Sequence, residues 1–503
     1  MLAVTSIALA LGTFMQVLDG SIANVSIPTI AGDMGVSADQ GTWVITSFAV
    51  ANGVSVPLTG WLMGRYGVVR TFVSAVILFT IASLLCGISW NLPSLIVFRI
   101  LQGAVSGPMI PGSQALLISI FPPSKRGAAL AIWSMTTLVA PIAGPMLGGY
   151  ISDNMSWQWI FLINLPVGAL CAFLCWRNMA SRETPTRKLP VDTTGFMLLL
   201  VWVGAFQVML DTGKDADWFG SPAIVVMAAV AAIAFVAWVI WELTEKNPIV
   251  DLSLFKSRNF TVGCIVTCLG FGVFFGNTVL LPLWLQTQMG YIATWAGLVA
   301  APSGVVAVLV TPLMAQIMSR VDARWTATLS LTAFGLSYWL RSGYSADVSF
   351  AALVVPMLVQ GVAMSVFFVS MVTITLNGVP INQMPSATGL SNFARLTAGS
   401  FAAALTTTIW GRSESLHQTR LAEMASATDP SWLRAMHGMG HMGMSLPQSL
   451  AAITQQYVGQ AYLLASLDFF RASAWLMLLM VPLLWFTKRA VGGGGVAAAA
   501  AAD

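Results

Sequence analysis

Three ionisable residues, Asp19, Arg99 and Arg395, interrupt long apolar stretches of the sequence. An ionised side chain inside a bilayer is energetically costly, so such residues usually belong to a functional site or to an internal ion pair. Burial favours the neutral form of a carboxyl group and a nearby arginine favours its charged form, and a group balanced between the two can bind and release protons. We therefore predict that Asp19 and Arg99 form a proton-coupling pair; a fixed structural ion pair is the alternative.

Polar side chains accompany these residues at helical spacing. Gln16 shares a helix face with Asp19, and Gln102 shares one with Arg99, because residues three apart lie on the same face. Polar faces turn toward the interior of a helix bundle and away from lipid, so together they predict a central cavity. We predict that the cavity is lined by Gln16, Asn24, Gln102, Phe274, Asn277, Gln360, Asn392 and Arg395. For Phe274, a place in the hydrophobic core or against lipid is an equally good interpretation.

The composition indicates which elements must position these residues. The chain has 503 residues, of which 57% are hydrophobic and 8% are charged, whereas soluble domains carry about 25% charged residues. With 23 Lys and Arg and 19 Asp and Glu residues, it cannot give a soluble fold a polar exterior. The composition excludes a water-soluble fold, a disordered chain and a nucleic-acid-binding protein, and it indicates an integral membrane protein.

The apolar stretches predict fourteen membrane spans, since a bilayer core of about 30 Å requires about 20 apolar residues per helix. Most of the 23 basic residues lie in alternate loops on one side, whereas a few, including Lys214 and Arg341, lie on the other. By the positive-inside rule, both termini are cytoplasmic and the loop 411–468 faces outward. The predicted spans lie near residues 3–27, 39–63, 71–89, 94–119, 128–151, 158–177, 193–211, 221–242, 260–285, 294–318, 325–341, 348–376, 386–410 and 469–487.

Similarity between the two ends of the chain indicates an internal repeat. Arg99 and Gln102 in the fourth span correspond to Met357 and Gln360 in the twelfth. Because the arginine is replaced by Met357 in the second copy, we predict that the N-terminal half couples the ions. The predicted domains are a six-helix bundle over 1–180, two inserted helices with cytoplasmic linkers over 181–258, a second six-helix bundle over 259–487 and a flexible tail over 488–503.

Two glycine-rich motifs carry a family resemblance. One, between the second and third spans, resembles the cytoplasmic signature of the major facilitator superfamily, and the other, in the fifth span, resembles its antiporter signature. Segments 18–28, 99–103, 157–166 and 251–260 resemble further motifs of the fourteen-helix drug:proton antiporters, and the ordered set is most similar to EmrB-type multidrug export pumps. The cytoplasmic gating motif contains Gly60, Arg65, Gly67 and Arg70, and the antiporter motif contains Pro141, Gly144, Pro145, Gly148 and Gly149.

The gating motif departs from the family pattern at Gly64, where the family has an acidic residue. An acid–base latch between helix ends then lacks its acid. Arg65 and Arg70 then have other interpretations: they pair with helix C-termini or anionic lipid, or they are basic anchors that hold this loop at the cytoplasmic membrane surface.

The resemblance implies an all-α integral membrane protein with the major facilitator fold, in which two helices are inserted between two six-helix bundles. It implies a proton-coupled antiporter that exports amphipathic toxic compounds by alternating access and needs no cofactor. The antiporter motif would seal the cavity against leak; a tightly packed kink without a gating role is the alternative. EmrB-type pumps further imply a bacterial inner-membrane location, an EmrA-like periplasmic adaptor protein and a TolC-like outer-membrane channel.

The charges favour weakly acidic or hydrophobic substrates, because Arg99 and Arg395 face the single Asp19 and arginine does not lose its proton at physiological pH. An exporter of fatty acids or lipids is an alternative, and a nutrient:proton symporter is a weaker one because of the antiporter motif. An enzyme is not expected, since the sequence shows no nucleophile–histidine–acid set and its three histidines lie in the outer loop. No metal site is expected, because the five cysteines lie in apolar stretches as packing residues.

Overall fold

The computed structural model describes residues 2–122, 126–186, 190–318, 321–424, 434, 437–438, 441 and 444–490, and it contains no β-strand among them. Residues 491–503, most of the predicted tail, lie outside this part of the chain. The first half comprises α1 (Leu2–Asp33), α2 (Ala38–Gly41), α3 (Trp43–Ser55), α4 (Thr59–Tyr66), α5 (Val68–Gly87), α6 (Leu92–Ser106), α7 (Met109–Ile120), α8 (Arg126–Asn154), α9 (Trp159–Leu162) and α10 (Asn164–Met179). The remaining helices are α11 (Thr193–Thr212), α12 (Pro222–Thr244), α13 (Arg258–Thr287), α14 (Ala293–Met318), α15 (Ala323–Arg341), α16 (Phe350–Thr375), α17 (Met384–Met424) and α18 (Leu446–Leu484).

Eleven segments of the described chain are long and apolar enough to cross a membrane. Helices also occupy the other three predicted spans, as α8, α15 and α17, but these are not among the eleven. Polar residues explain the difference in two of them, because α15 contains Arg324 and Arg341 and α17 contains Asn392 and Arg395. The expected all-helical fold of a membrane protein is confirmed, and the count of fourteen spans stays a prediction.

The same pairs of helices pack together in both halves of the chain. In the first half α1 packs on α8 and α10, α3 on α6, and α5 on α6 and α10. In the second half α13 packs on α17 and α18, α14 on α16, and α15 on α16 and α18. Equivalent helices therefore occupy equivalent places, which lets residues of the two halves be compared directly.

The two halves meet where helices of one half pack on helices of the other. The helix α4 and the short 3-10 turn before it (Val56–Leu58) pack on α17, and α14 packs on α8. The helix α11 packs on both α3 and α17, and its Trp202 lies 5.7 Å, ring to ring, from Trp238 of α12 and from Phe393 of α17. The predicted boundaries of the domains and of the inserted pair remain predictions.

Candidate proton-coupling and substrate site

Asp19 and Arg99 form an ion pair that is closed off from solvent. Both side chains are 0% exposed, and 2.6 Å separates Arg99 Nη1 from Asp19 Oδ2. The same Nη1 donates to Gln102 Oε1 at 2.6 Å, and Gln102 Nε2 donates to Asp19 Oδ1 at 3.0 Å. Three residues that the sequence singled out on α1 and α6 thus form one network.

Two further polar residues, Asn164 on α10 and Ser83 on α5, complete this network. Asn164 Nδ2 donates to Asp19 Oδ1 at 2.8 Å, and Ser83 Oγ accepts from Gln102 Nε2 at 2.7 Å. Asp19 therefore accepts hydrogen bonds from three N–H donors, which is the geometry of an ionised carboxylate. The sequence did not predict either residue as part of the site, although Asn164 lies within the 157–166 motif.

The guanidinium of Arg99 is oriented by α3. Arg99 Nε donates to the Val44 carbonyl at 3.0 Å, and the guanidinium carbon lies 4.2 Å from the centre of the Phe48 ring. Arg99 Nη2 has no hydrogen-bond partner among the described residues. A buried donor without a partner is destabilising, and this N–H group has the capacity to bind a further acceptor.

Local sequence brings α6 close to α3. The helix begins with Asn91 as its N-cap, whose side chain accepts from the Ser94 N–H at 2.8 Å. About three turns later, a Cβ on Gly103 would lie 2.5 Å from the Phe48 carbonyl oxygen. Glycine at this position therefore permits the close approach that lets Arg99 reach the backbone of α3.

The antiporter motif packs on α1, close to Asp19. A Cβ on Gly144 would overlap Ser21, and a Cβ on Gly148 would lie 3.1 Å from the Ile22 carbonyl oxygen. Gly149 faces open space and Pro141 is exposed; the side chain of Pro145 lies outside the described part of the structure. Two of the motif's glycines thus form the contact between α8 and the helix that carries Asp19.

The second half contains a related cluster with different charges. Asn277 lies 258 residues after Asp19, the same offset that relates Met357 to Arg99 and Gln360 to Gln102, so neither member of the ion pair recurs in the second half. Asn277 is buried, and its Nδ2 donates to Ser473 Oγ at 2.9 Å. The structure therefore has one intramembrane ion pair of this type within its described residues, in the half where the sequence placed the ion coupling.

A buried arginine, Arg341, lies beside Met357 and Gln360 in this half. Arg341 is 1% exposed, donates to Gln360 Oε1 and forms no ion pair with a described carboxylate. It lies 19 residues before Gln360, the same separation that relates Ser83 to Gln102. The sequence counted Arg341 among the basic residues of the outer loops; the loop position was wrong, because Arg341 ends α15 and its side chain turns into the bundle, and the side of the membrane stays a prediction. The equal separation was the sequence signal that could have located it.

A small cavity lies between the two halves. It has a volume of about 30 Å³ and is lined by Gln114 and Trp133 from the first half and by Phe368, Asn392 and Arg395, among others, from the second. Asn392 Nδ2 donates across the interface to Gln114 Oε1 at 2.6 Å, and Arg395 Nη2 donates to Asn392 Oδ1 at 2.9 Å. Two of the predicted cavity residues therefore line this space, whereas Gln114 was not predicted.

Aromatic rings surround Arg395. Its guanidinium carbon lies 4.8 Å from the centre of the Phe271 ring and 5.7 Å from that of Phe368. Arg395 forms no ion pair with a carboxylate in the described part of the chain. A positive charge bordered by apolar rings can bind a molecule that combines an acid with a hydrophobic body.

The remaining predicted cavity residues lie in different surroundings. Gln16 is buried and its Oε1 has no described partner, whereas Asn24 is exposed on α1. Phe274 packs in an aromatic cluster, with its ring centre 6.1 Å from that of Phe271 and 5.9 Å from that of Phe334. The structure thus does not bring these residues into the small cavity around Arg395.

The gating motif lies where the first half meets α17. A Cβ on Gly60 would lie 2.7 Å from the Ser386 Cα, so the two helices touch backbone to backbone. Gly67 follows α4 with a φ of +95°, in the region that favours glycine. Arg65 lies over aromatic rings of its own helix, and the side chain of Arg70 is 64% exposed.

Comparison with known proteins places these features in a family. Residues 9–403 match the sequence pattern of the Major Facilitator Superfamily. The chain is 47% identical to the multidrug export protein EmrB of Haemophilus influenzae, over 97% of this chain and 96% of that protein. It is 46% identical to EmrB of Escherichia coli K12, over 98% and 96% of the two chains. It is 45% identical to the fatty acid resistance protein FarB of Neisseria gonorrhoeae, over 97% and 96%.

A solved structure of similar fold is the proton:xylose symporter XylE, with a TM-score of 0.61 and 14% identity over 98% of each chain. At this identity the likeness concerns the fold alone. The sequence match and the helical arrangement agree, and the chain therefore belongs to the major facilitator superfamily of membrane transporters.

Proposed function

We propose that this protein is a proton-coupled antiporter that exports amphipathic, weakly acidic or hydrophobic toxic compounds by alternating access. The observation that carries the proposal is the closed Asp19–Arg99 pair. The full-length relatives named as multidrug export proteins support export as the direction of transport.

Coupling would arise from competition between a proton and Arg99 for the same carboxylate. Protonation of Asp19 removes the negative charge that Arg99 binds at 2.6 Å and leaves a buried guanidinium without its counter-ion. Breaking a buried pair in this way costs about 3–5 kcal/mol, and movement of α1 against α6 would relieve that cost. Each proton that moves down a potential of 100 mV supplies about 2.3 kcal/mol, enough for a roughly fiftyfold solute gradient.

The surroundings of Arg395 support an acidic amphiphile as the substrate. Its guanidinium has no described carboxylate partner, and the Phe271 and Phe368 rings provide an apolar contact beside the charge. A substrate carboxylate could accept the hydrogen bond that Arg395 Nη2 donates to Asn392 Oδ1. An organic cation would instead meet a fixed positive charge, which is unfavourable.

The present cavity of about 30 Å³ is too small for such a substrate, because drug-sized ligands occupy about 300–1,000 Å³. Binding therefore requires the two halves to separate around Arg395. The Asn392–Gln114 hydrogen bond and the Gly60–Ser386 contact are interactions between the halves that separation must break. Such opening and closing around one site is what alternating access requires.

The long helices α17 and α18 support a role as the pump of a tripartite system. With 41 and 39 residues, they reach about 60 Å at 1.5 Å per residue, about twice the thickness of a bilayer core. His417 on α17 and Asp468 on α18 join the two helices at 2.9 Å. We place this hairpin outside a bacterial inner membrane, with cytoplasmic termini, where it would contact an EmrA-like adaptor protein leading to a TolC-like channel.

Proton release from purified protein tests the coupling. We expect a weakly acidic amphiphile to release protons from the wild type and from Asp33→Asn, but not from Asp19→Asn. Asp33 is the matched control because it lies on the same helix and accepts a hydrogen bond from Trp157 Nε1 at 2.7 Å, which an asparagine can still accept. Wild-type release and transport by Asp19→Asn would instead establish the fixed structural pair.

The same assay separates substrate classes. The 45% identity to a fatty acid resistance protein favours fatty acids as a second candidate substrate, and the negative headgroup and apolar chain of a fatty acid also match the surroundings of Arg395. Proton release should then follow addition of fatty acids or aromatic acids but not of lipophilic cations. Competition by cations and never by acids would contradict the proposed substrate class.

A further inference from the structure

The segment that follows α10 folds back onto the start of α5. Glu183 Oε1 accepts a hydrogen bond from the Val69 N–H at 3.1 Å, and Glu183 Oε2 accepts one from the Arg70 N–H at 2.8 Å. Thr184 Oγ1 accepts from the Val68 N–H at 3.2 Å. One short segment thus satisfies three successive N–H groups at the beginning of a membrane helix.

These N–H groups need an external acceptor. The first N–H groups of a helix have no partner within the helix, and the residue before α5 is Gly67, which has no side chain to cap them. A side chain at Gly67 would in fact overlap the carboxylate of Glu183. The glycine therefore leaves the space that Glu183 fills, and the carboxylate also interacts favourably with the positive end of the helix dipole.

The side-chain ion pair with Arg70 adds little to this arrangement. Arg70 Nε lies 4.0 Å from Glu183 Oε2, and the Arg70 side chain is 64% exposed. Exposed pairs of this kind contribute little to stability. The contacts that hold the segment are therefore those between the Glu183 carboxylate and the backbone.

The other described end of the segment is held by α4. Trp61 Nε1 donates to the Pro190 carbonyl at 3.0 Å. Trp61 directly follows Gly60, which touches Ser386 of the second half. Residues 183 and 190 thus both contact the α4–α5 region, on the two sides of its turn. Displacement of the segment would release the helix that forms the contact between the halves.

The second half of the chain has an equivalent contact with the acid on the opposite partner. Asp322 stands in the loop before α15, accepts from the Arg324 N–H at 3.1 Å and accepts from the N–H of Ala490 at 3.3 Å. Ala490 follows α18 as Glu183 follows α10. Burial alone would raise the pKa of Asp322, but the hydrogen bonds from Arg324 and the backbone outweigh burial and lower it.

We infer that Glu183 is a positioning residue for transport: its carboxylate holds the start of α5 and thereby keeps α4 against α17 in the closed state of this end of the molecule. In each half, the segment after the last helix contacts the start of the third span, α5 or α15. The acid is Glu183 on the returning segment in the first half, and Asp322 in the loop before α15 in the second. The functional consequence rests on the proposed alternating access, whereas the structural contact does not.

Accessibility of a thiol at the contact tests this role. We would introduce Ser386→Cys, label it with a membrane-impermeant maleimide in inside-out vesicles, and subtract the labelling of the parent protein, whose cysteines are buried except for the half-buried Cys268. In the Glu183→Ala background we expect labelling to be about fivefold faster, which corresponds to the ~1 kcal/mol typical of a helix cap. Glu183→Gln keeps one acceptor oxygen and should give a smaller increase.

The matched control is Glu245→Ala, because Glu245 follows α12 and accepts only from the N–H groups of Lys246 and Asn247 next to it among the described contacts. Its labelling rate should equal that of the parent. Parental rates for both Glu183 variants, or an equal increase for Glu245→Ala, would overturn the inference. Because labelling requires no substrate, absence of export in the wild type would count against the proposed function and leave this result unaffected.

Discussion

Removal of Arg99 should destabilise the protein chiefly through Asp19, and a double-mutant cycle measures this. In Arg99→Met the Asp19 Oδ2 loses the donor at 2.6 Å, while Oδ1 keeps the donors Gln102 and Asn164. Methionine is the residue that stands at the equivalent position 357 of the second half. We expect Arg99→Met to lower the free energy of unfolding by about 3–5 kcal/mol, the usual effect of leaving a buried charge unpaired.

The double variant Asp19→Asn/Arg99→Met should recover much of this loss, because its neutral amide can still bind Gln102 and Asn164. We expect a coupling energy of about 2–3 kcal/mol, within the range for residues of one buried network. The assay is equilibrium unfolding of the four purified proteins in the same detergent micelles. Additive effects, with a coupling energy below about 0.5 kcal/mol, would refute the argument that the ion pair dominates this site.

Three further outcomes follow from the structure. Gly144→Val should lose about 1–3 kcal/mol of stability through overpacking against α1 and should leak protons in vesicles, whereas Gly149→Val, which faces open space, should show neither effect. Gln360→Leu removes the amide acceptor of buried Arg341 and leaves the more distant Ser337 and Met357, so we expect about 1–3 kcal/mol lower stability in unfolding assays; unchanged stability would contradict a structural role for the amide. The pKa of Asp322 is lowered in the folded protein, so its carboxylate should stabilise the fold fully above its ordinary pKa of 3.8 and lose that contribution as the pH falls below it. In acid unfolding, Asp322→Asn should abolish that part of the pH dependence of stability. An unchanged profile would contradict the assignment.

The ion pair could be predicted from the sequence because charge inside an apolar stretch is rare and therefore informative. Asn164 and Ser83 could not, since neutral polar residues are common in membrane helices and only their contacts distinguish these two. Glu183 was equally hidden, because a charged residue in a linker is expected whatever its role. Its function depends on Gly67 and on the return of the chain to α5, which are properties of the fold.

The limits of the sequence are similar for the helices. The apolar stretches predicted helices at all fourteen positions, although α15 and α17 carry the charged residues Arg324, Arg341 and Arg395 and are not among the eleven segments apolar enough to cross a membrane. Arg341 was misplaced because its position at the end of a predicted span says nothing about the direction of its side chain. The structure supplies that direction by placing it against Gln360.

The uneven distribution of charge between the halves would make the proposed alternating access itself sensitive to voltage. With Asp19 ionised, the first half is electrically balanced at its ion pair, whereas Arg341 and Arg395 in the second half have no ion-pair partner among the described carboxylates. Charge displaced across the whole membrane field exchanges about 2.3 kcal/mol per 100 mV, and a partial displacement exchanges a fraction of it. Rocking of the halves, as the proposed alternating access requires, would therefore move fixed positive charge within the field. Membrane potential would then bias which side the empty transporter faces, in addition to driving the proposed proton movement.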